Sequence, residues 1–264
     1  MLRIALIGAG RMAQAVMRQV VANADFQLAV LCVKPGSESA AQEAVAAAGI
    51  GTDLPIVSNP ANLDADLFDI AMDFSLPAAT ASVLAAVVDA GKPLVSGVTG
   101  LDSKGLTAMR KASSRIPLLY DRNMSIGIAL MQKLVGQAGA ALGMDFVVSV
   151  LETHHVHKAD APSGTALKLA EAAAKSRGQE FQSVYLFDPD GFLRDQPADS
   201  VVVTSYRQGD NPGEHTVRFA GANEILELTH KVTDRRVFAE GALRAAQWLV
   251  KQAKGLYAVS DILS

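Results

Sequence analysis

The chain has 264 residues, half of them hydrophobic, a formal net charge of −3 and a single cysteine. These values exclude a basic surface for nucleic acid and an internal disulfide framework, and the lone cysteine is compatible with a reducing compartment. No uncharged apolar run is long enough to cross a bilayer and no signal-peptide pattern opens the chain. We therefore expect a soluble, cytoplasmic protein with one large domain or two small ones.

A short apolar strand covers residues 2–8 and runs directly into a glycine turn and a helix that extends to about Val21. Gly8 permits the tight turn, Gly10 lets the backbone approach a pyrophosphate, and Ala13 allows the helix to pack closely on the sheet. The start of the helix then faces the phosphates. This order of strand, turn and helix predicts a dinucleotide-binding unit. The alternative is an ordinary tight turn between a strand and a helix.

The end of the second predicted strand, at residues 26–33, usually selects between NAD and NADP. Its exit loop carries Lys34 and Ser37, and no acid occurs before Glu38. A carboxylate at this point would bind the ribose hydroxyls of NAD, whereas a lysine with a serine suits the additional phosphate of NADP. The loop therefore favours NADPH. NADH stays open, because Lys34 is equally well explained as a solvated charge.

Strands and helices continue to alternate as far as Asn123. The predicted elements are a helix at 40–48, a strand with its exit loop at 69–77, a helix at 78–90, and strands with their exit loops at 92–100 and 116–124. This alternation predicts a Rossmann-type α/β fold with a doubly wound parallel sheet. Ligands bind at the carboxyl ends of such strands, so Gly8, Ser75, Gly97 and Asn123 should line one crevice.

The pattern changes in the second half of the chain. The predicted elements there are a helix at 125–142, a buried strand at 146–151, a polar loop at 188–200, strands at 201–206, 215–220 and 225–231, and a helix at 234–254. They predict a second α+β domain with a mixed, mostly antiparallel sheet. The last helix should return to the first domain. We therefore assign residues 1–123 plus 235–264 to a dinucleotide-binding domain and 124–234 to a substrate-binding and oligomerisation domain.

The most unusual stretch lies between the strand at 146–151 and a predicted helix at 166–177. Three of the five histidines fall within residues 154–157, directly before Lys158. Ser163 or Thr165 is a natural N-cap for the helix. Amides at a helix start favour an anion, and imidazoles with an ammonium supply proton donors. The stretch predicts a pocket for a small carboxylate substrate with acid–base groups beside it. If strand geometry persists, His154 and Lys158 share one face.

These side chains also have simpler interpretations. A histidine at a strand end is usually a surface or hydrogen-bonded residue. His155 and His157 would point the same way on a strand and could bind zinc. However, Lys158 is a poor neighbour for a cation, and no CxxC or HExxH pattern completes a zinc site. We therefore predict no metal.

The run E-x-H-H-x-x-K-x-D-A-P-S-G-T-A, which begins at Glu152, is similar to the signature of the dihydrodipicolinate reductase family. Further matches are Asp-Phe-Ser-x-Pro at 73–77, Gly-x-Thr-Gly at 97–100, Asn-x-Ser-x-Gly at 123–127 and Gly-Glu-His at 213–215. The resemblance spans nearly the whole chain. It implies reduction of a cyclic dicarboxylate with NADH or NADPH, on the route to diaminopimelate and lysine, by a homotetramer built through the substrate-domain sheets.

Carried over residue by residue, the resemblance implies that His154 is the acid–base residue at the reacting ring and that Lys158 is the proton donor. The predicted substrate-binding residues are His155, Ser163, Gly164 and Thr165. The predicted cofactor-binding residues are Gly8, Ala9, Gly10, Arg11, Met12, Lys34, Ser75, Gly97, Val98, Thr99, Asp121, Arg122, Asn123 and Met124.

Three hypotheses for the function follow. The first is the reductase that the resemblance implies. The second is another nicotinamide-dependent dehydrogenase that uses the same cofactor domain on a different small carboxylate. The third is a non-catalytic NADP-binding sensor. The histidine and lysine cluster together with Ser-Gly-Thr favours the first, and a sensor could dispense with Lys158, which this chain retains.

Overall fold

The computed structural model describes residues 1–191 and 196–263, and the chain divides into two units. One unit joins Met1–Ser125 to Arg236–Ile262, and the other is Ile126–Arg235. The polar loop predicted at 188–200 lies partly outside the described residues. None of the helices in the described part of the chain combines the length and the apolar character that crossing a bilayer requires.

The first unit is built on a seven-stranded sheet in which every strand pairs in parallel with its neighbour. Its strands are β1 (Leu2–Ile7), β2 (Phe26–Cys32), β3 (Ile56–Val57), β4 (Ile70–Asp73), β5 (Leu94–Ser96), β6 (Pro117–Tyr120) and β12 (Gly255–Tyr257). They lie in the order β12-β6-β5-β4-β1-β2-β3. The predicted doubly wound parallel sheet is confirmed.

Helices cover this sheet. They are α1 (Arg11–Val21), α2 (Glu38–Ala47), α3 (Thr80–Asp89), α4 (Ser103–Ser113) and α8 (Arg236–Leu249). The central strands are apolar along their length because the sheet is covered on both faces. Ile4, Ala5 and Leu6, three consecutive residues of β1, have no exposed surface. Helix α8 packs on α1, and its buried face is mostly alanine, which allows close approach.

The described part of the second unit contains a five-stranded sheet and three α-helices. The strands are β7 (Val147–His154), β8 (Tyr185–Phe187), β9 (Val201–Arg207), β10 (Glu214–Ala220) and β11 (Ile225–Lys231), and the helices are α5 (Ile126–Leu142), α6 (Gly164–Ser176) and α7 (Phe181–Val184). Helices α5 and α6 pack together, and their apolar side chains form one core with the sheet. Val148, Val150 and Phe219 supply the sheet side of that core.

This second sheet is mixed, as predicted, but it is not mostly antiparallel. Its order is β11-β10-β7-β9-β8. Strand β10 is antiparallel to β11 and β7, whereas β9 is parallel to β7 and β8. The parallel half arises because α6 and α7 carry the chain back across the sheet between β7 and β8, and a parallel pair needs such a crossover.

Strand β7 also differs from its prediction as a buried strand at 146–151. It extends to His154, and burial alternates along it. Val150, Glu152 and His154 face the helices and are buried, whereas Leu151 on the opposite face is 41% exposed. Because successive side chains of a strand point to opposite faces, Glu152 and His154 lie on the same covered face.

The core of the second unit yields a stability prediction. Phe219 has no exposed surface, while Leu226, its partner across the β10–β11 pair, is 40% exposed. Replacing a buried phenylalanine by alanine costs about 3–5 kcal/mol of unfolding free energy, because apolar contacts are lost and a cavity is left. We expect Phe219→Ala to show that loss in urea unfolding, and Leu226→Ala to lose roughly 1 kcal/mol or less. Equal losses would contradict this description of the core.

Candidate active site

The buried carboxylate of Glu152 is the centre of the site in the second unit. Its side chain has no exposed surface. One oxygen, Oε2, accepts a hydrogen bond from Nδ1 of His154. The other, Oε1, accepts from the amide of Ser163 at 3.1 Å and from the guanidinium of Arg207 at 3.1 Å and 3.2 Å. A single carboxylate thus joins the end of β7, the end of β9 and the start of α6.

Glu152 is ionised in the native protein. Burial opposes ionisation, but the hydrogen bond from His154, the further hydrogen bonds and the nearby imidazole lower the pKa of Glu152 to about 2. An ionised carboxylate can only accept hydrogen bonds, so Nδ1 of His154 must carry a proton. The second ring nitrogen, Nε2, lies on the side of Gly213, where a Cβ atom would be 3.1 Å away. Nε2 is therefore the nitrogen through which His154 gains or loses a proton.

The sequence suggested that strand alternation places Lys158, but the structure places it in a turn. Strand β7 ends at His154, and the chain enters a turn in which the amide of Lys158 donates to the carbonyl of His155 at 3.1 Å. The expected shared strand face of His154 and Lys158 is therefore wrong. The ammonium of Lys158 instead pairs with Asp160 at 2.7 Å. The carbonyl of Lys158 accepts from Nε of Arg207 at 3.3 Å.

The start of α6 is capped by Ser163, one of the two predicted N-caps. Its hydroxyl accepts from the amide of Ala166 at 3.1 Å and hydrogen-bonds to Nε2 of His215 at 3.2 Å. Ser163 is only 2% exposed, and its hydroxyl and amide are both engaged inside the protein. Gly164 and Thr165 follow in the first turn and are half-buried. Amide groups in a first turn point away from the helix and suit an anion.

His215 lies beside His154 and is held neutral. The two rings meet edge to face, with their centres 5.1 Å apart. Burial, and secondly the charge of His154, lower the pKa of His215 to about 3. A neutral His215 acts as a hydrogen-bonding partner of Ser163 and adds no charge to the site.

The loop after β7 is electropositive. Burial lowers the pKa of His155, and the positive charges of Arg235, His154, His157 and Lys158 lower it further. These groups come close enough to disfavour the charged form of His155. An anion bound beside them would offset that repulsion.

Glu152, His154 and His215 also place one possible metal-ligand atom each within 4.8 Å of the others. However, Arg207 already binds the carboxylate, and Ser163 binds His215. A neighbouring guanidinium disfavours a second cation. The hydrogen bonds therefore account for this cluster. The alternative zinc pair, His155 and His157, lies in the turn after β7, with ring centres 6.2 Å apart.

In the first unit, the predicted cofactor residues lie at the carboxyl ends of parallel strands. Gly8 follows β1, Ser75 follows β4, Gly97 follows β5 and Asn123 follows β6. Backbone hydrogen bonds tie these ends together: the amide of Gly97 donates to the carbonyl of Asp73 at 2.9 Å, and the amide of Asp121 to that of Ser96 at 3.2 Å. All four segments therefore meet at one edge of the sheet.

Two positions at this edge, 8 and 10, are occupied by glycine for different structural reasons. Gly8 has a φ of +103°, and a Cβ there would lie 2.8 Å from the carbonyl oxygen of Phe74, so the fold itself demands glycine. Gly10 is the N-cap of α1, and a Cβ there would meet nothing within 4 Å. The first turn of α1 contains no acidic residue. The space above Gly10 and the helix start fit the approach of a diphosphate.

The remaining predicted cofactor residues divide into two groups. Arg11, Lys34, Thr99 and Arg122 are exposed at this edge, and Ala9 and Met12 are half-buried. Val98, Asp121 and Met124 are at least 91% buried, so their side chains belong to the interior. The carboxylate of Asp121 accepts from the amide of Asn123 at 3.3 Å and from that of Val259 at 3.4 Å.

Two family models together match almost the whole chain. The model for the N-terminus of dihydrodipicolinate reductase matches residues 2–124, and the model for its C-terminus matches residues 127–263. The chain belongs to the dihydrodipicolinate reductase family. The resemblance that the sequence motifs carried is thereby confirmed.

Relatives and solved structures agree. The chain is 47% identical over 195 residues to 4-hydroxy-tetrahydrodipicolinate reductase of Sulfurimonas denitrificans, which covers 74% of this chain and 76% of the relative. It is 38% identical over 265 residues to the reductase of the same name from Halorhodospira halophila, covering 99% and 98%. A dipicolinate-bound dihydrodipicolinate reductase from Paenisporosarcina sp. TG-14 has the same fold, with a TM-score of 0.76, 23% identity and 99% coverage of both chains.

Sequence reasoning missed three residues of the site: Glu152, Arg207 and His215. The sheet register explains their positions. His215 pairs with Glu152 across β10 and β7, and Arg207 pairs with His154 across β9 and β7. The family motifs quoted above contain Glu152 and His215 but assigned them no role, and the spacing of Glu152 and His154, two residues apart on one strand, is the local signal that could have joined that pair. Arg207 and His215 are distant in sequence and could not be connected to them without the register.

The neutral, buried His215 predicts a pH dependence of stability. Its pKa is about 3 in the folded protein and about 6.5 in the unfolded chain. The unfolded chain therefore binds one more proton as the pH falls below 6.5, and this residue's contribution is lost towards pH 3. We expect His215→Gln to reduce the slope of unfolding free energy against pH below pH 6.5, by an amount that approaches about 1.4 kcal/mol per pH unit near pH 5.

Urea unfolding at several pH values measures that slope. The matched control is His157→Gln, because His157 is exposed. An unchanged slope in the His215 variant would show that this histidine is not held neutral.

Proposed function

We propose that this protein is a 4-hydroxy-tetrahydrodipicolinate reductase. It would reduce 4-hydroxy-tetrahydrodipicolinate to tetrahydrodipicolinate with NADH or NADPH and with loss of the 4-hydroxyl group as water, on the route to diaminopimelate and lysine. Matches to both family models and to relatives of that name support the assignment. The observation that carries it is the electropositive loop of His155 and Lys158 next to the start of α6, in the same unit as the buried pair of Glu152 and His154.

The substrate carries two carboxylates, and the second unit offers positive partners for them. Lys158 supplies positive charge, His155 supplies an imidazole for hydrogen bonding, and Gly164 and Thr165 belong to the first turn of α6. Because the hydroxyl of Ser163 is already engaged with Ala166 and His215, we assign Ser163 to shaping the helix start. A carboxylate at that start would meet the first-turn amides.

The bound reduced nicotinamide supplies the hydride. Hydride arrival at carbon leaves negative charge on the conjugated ring of the substrate, and a cationic donor stabilises that charge and then protonates it. Lys158 is the donor in this proposal, and its pairing with Asp160 orients the ammonium. His154 would exchange a proton at Nε2, because Nδ1 is held by Glu152.

For the cofactor we propose a preference for NADPH. Lys34 and Ser37 lie in the turn after β2, where the amide of Ser37 donates to the carbonyl of Lys34 at 3.2 Å. Glu38 is the first acid after the strand. Hydrogen bonds from its own amide, and also from Ser58 and the amide of Gly36, lower its pKa. That carboxylate is already engaged at the start of α2, which leaves Lys34 as the charged group for a ribose phosphate.

We also propose a homotetramer assembled through the outer faces of the second-unit sheets. That face carries exposed apolar side chains: Leu151 is 41% exposed, Tyr206 45% and Ile225 52%. A second copy of the chain would cover them. A monomer mass in sedimentation equilibrium would contradict the assembly.

The decisive experiment follows oxidation of the nicotinamide by its near-ultraviolet absorbance. A synthase would generate the substrate in the cuvette from pyruvate and aspartate semialdehyde, with NADH and NADPH tested separately. Rapid oxidation that requires every component would establish the reductase. Binding of both nicotinamides without oxidation would instead favour another dehydrogenase or a sensor.

The proton-donor role of Lys158 leads to a second test. We expect Lys158→Ala to lower turnover by about 10²-fold or more, the usual scale for a lost general acid. Nicotinamide affinity should stay unchanged, since Lys158 is not among the cofactor residues. Lys175→Ala, which removes an exposed lysine from the last turn of α6, is the matched control. Wild-type turnover in the Lys158 variant would remove this residue from the mechanism.

The cofactor preference depends on Lys34. A hydrogen bond to a charged group contributes about 1.5–3 kcal/mol, so Lys34→Ala should raise the KM for NADPH about tenfold or more. The KM for NADH should change little, because NADH lacks the additional phosphate. Lys104→Ala, at an exposed lysine in α4, is the control. Equal effects on both cofactors would contradict a phosphate contact.

A further inference from the structure

Arg207 uses its whole guanidinium to bind this site. Nε donates to the carbonyl of Lys158 at 3.3 Å. Nη1 donates to Oε1 of Glu152 at 3.1 Å and to the carbonyl of Tyr206 at 2.7 Å. Nη2 donates to Oε1 of Glu152 at 3.2 Å and to the carbonyl of Asp160. A guanidinium has five N–H groups in a rigid plane, and each of them has an acceptor here.

These contacts connect two parts of the site that carry different functional groups. Lys158 and Asp160 belong to the loop after β7, and their carbonyls are held from one side by Arg207. Glu152 holds His154 and the amide of Ser163 from the other side. The loop that carries the proposed proton donor and the ring of the proposed acid–base residue are therefore fixed by one ion pair.

We propose that Glu152 and Arg207 are positioning residues for the reduction: Glu152 sets the tautomer of His154, and Arg207 sets the conformation of the loop that carries Lys158. This inference rests on the proposed function. It assigns to these two side chains a role that acts through His154 and Lys158.

The free energy needed to desolvate the Glu152–Arg207 ion pair argues for a role beyond stability. A buried ion pair contributes little net stability, because removing both charges from water offsets their attraction. The side chain of Glu152 has no exposed surface and that of Arg207 is 21% exposed. An apolar pair of similar volume could fill the space, but it could neither accept from Nδ1 of His154 nor donate to the loop carbonyls.

The Glu152→Gln variant separates positioning from packing, because glutamine has almost the same shape. Its amide oxygen can still accept from Ser163 and Arg207, which places its NH₂ group against His154. Nδ1 must then accept a hydrogen bond, and the ring proton moves to Nε2. The substitution should therefore invert the tautomer of the neutral ring while the backbone hydrogen bonds remain.

Long-range ¹H–¹⁵N correlation spectra of the full-length protein would report that tautomer. The spectra would be recorded over a pH series with wild type and Glu152→Gln, and the His154 signals would be assigned with a His154→Gln sample. We expect Nδ1–H in the neutral wild-type ring and Nε2–H in the variant. The same tautomer in both proteins would overturn the role of Glu152. This readout needs no substrate, so it stands even if the proposed reaction is wrong.

Steady-state kinetics test the role of Arg207. Lysine retains the charge but offers only three donors, so Arg207→Lys cannot hold both loop carbonyls and Glu152 together. We expect Arg207→Lys and Glu152→Gln each to lower kcat about tenfold or more, as is usual when the partner of a catalytic group is lost. The KM for the nicotinamide should stay within about twofold, because neither substitution removes a contact with the cofactor.

Arg110→Lys is the matched control, because Arg110 is exposed in the last turn of α4 and lies outside the second unit. It should keep wild-type kcat. Wild-type kcat in Arg207→Lys would overturn the positioning role of that residue, and an equal loss in the control would do the same. If Arg207→Lys did not fold, the tautomer and the kcat of Glu152→Gln would still decide the role of Glu152. Two results together would separate the function from the geometry. If the wild type had no reductase activity but the tautomer still changed in Glu152→Gln, the proposed function would be wrong and the role of Glu152 would stand.

Discussion

The second unit depends on one buried negative charge. A carboxylate without exposed surface is unfavourable unless hydrogen bonds and an opposite charge replace its water. Glu152 obtains them from His154, Ser163 and Arg207. Each partner comes from a different part of the chain, so satisfying this charge brings together the end of β7, the end of β9 and the start of α6. The geometry of the site is thus a consequence of the electrostatics of a single residue.

Both units contain a helix start that suits an anion, although their sheets differ. In the first unit, Gly10 opens the start of α1, and in the second unit Ser163 caps the start of α6. Helix starts carry unpaired amides and a partial positive charge, which bind phosphates and carboxylates without an additional buried cation. The second unit adds charged side chains around His155. A diphosphate and a dicarboxylate are the two anionic ligands that a nicotinamide-dependent reductase of this family would need.

Much of the fold could be predicted from the sequence where a periodic pattern is long. Helix α1, helix α5 and strand β1 follow their predicted limits closely. Strands β3 and β12 are two and three residues long, too short for any periodicity to show. Helix α4 was not predicted, although Asp102 provides an N-cap signal by accepting from the amide of Gly105 at 2.8 Å. The mixed sheet was predicted as mostly antiparallel because strand spacing does not reveal which strands a crossover makes parallel.

By itself, the sequence determined the identities and the order of the chemical groups. Local patterns can be recognised from the sequence alone. They include the glycine turn after β1, the cluster from His154 to Lys158 and the capping Ser163. Only the tertiary structure decided which groups meet. Arg207 lies beside His154, and His215 beside Glu152, because β9 and β10 pair with β7 in a particular register. That register is set by packing and hydrogen bonding between strands more than 50 residues apart, and no local pattern encodes it.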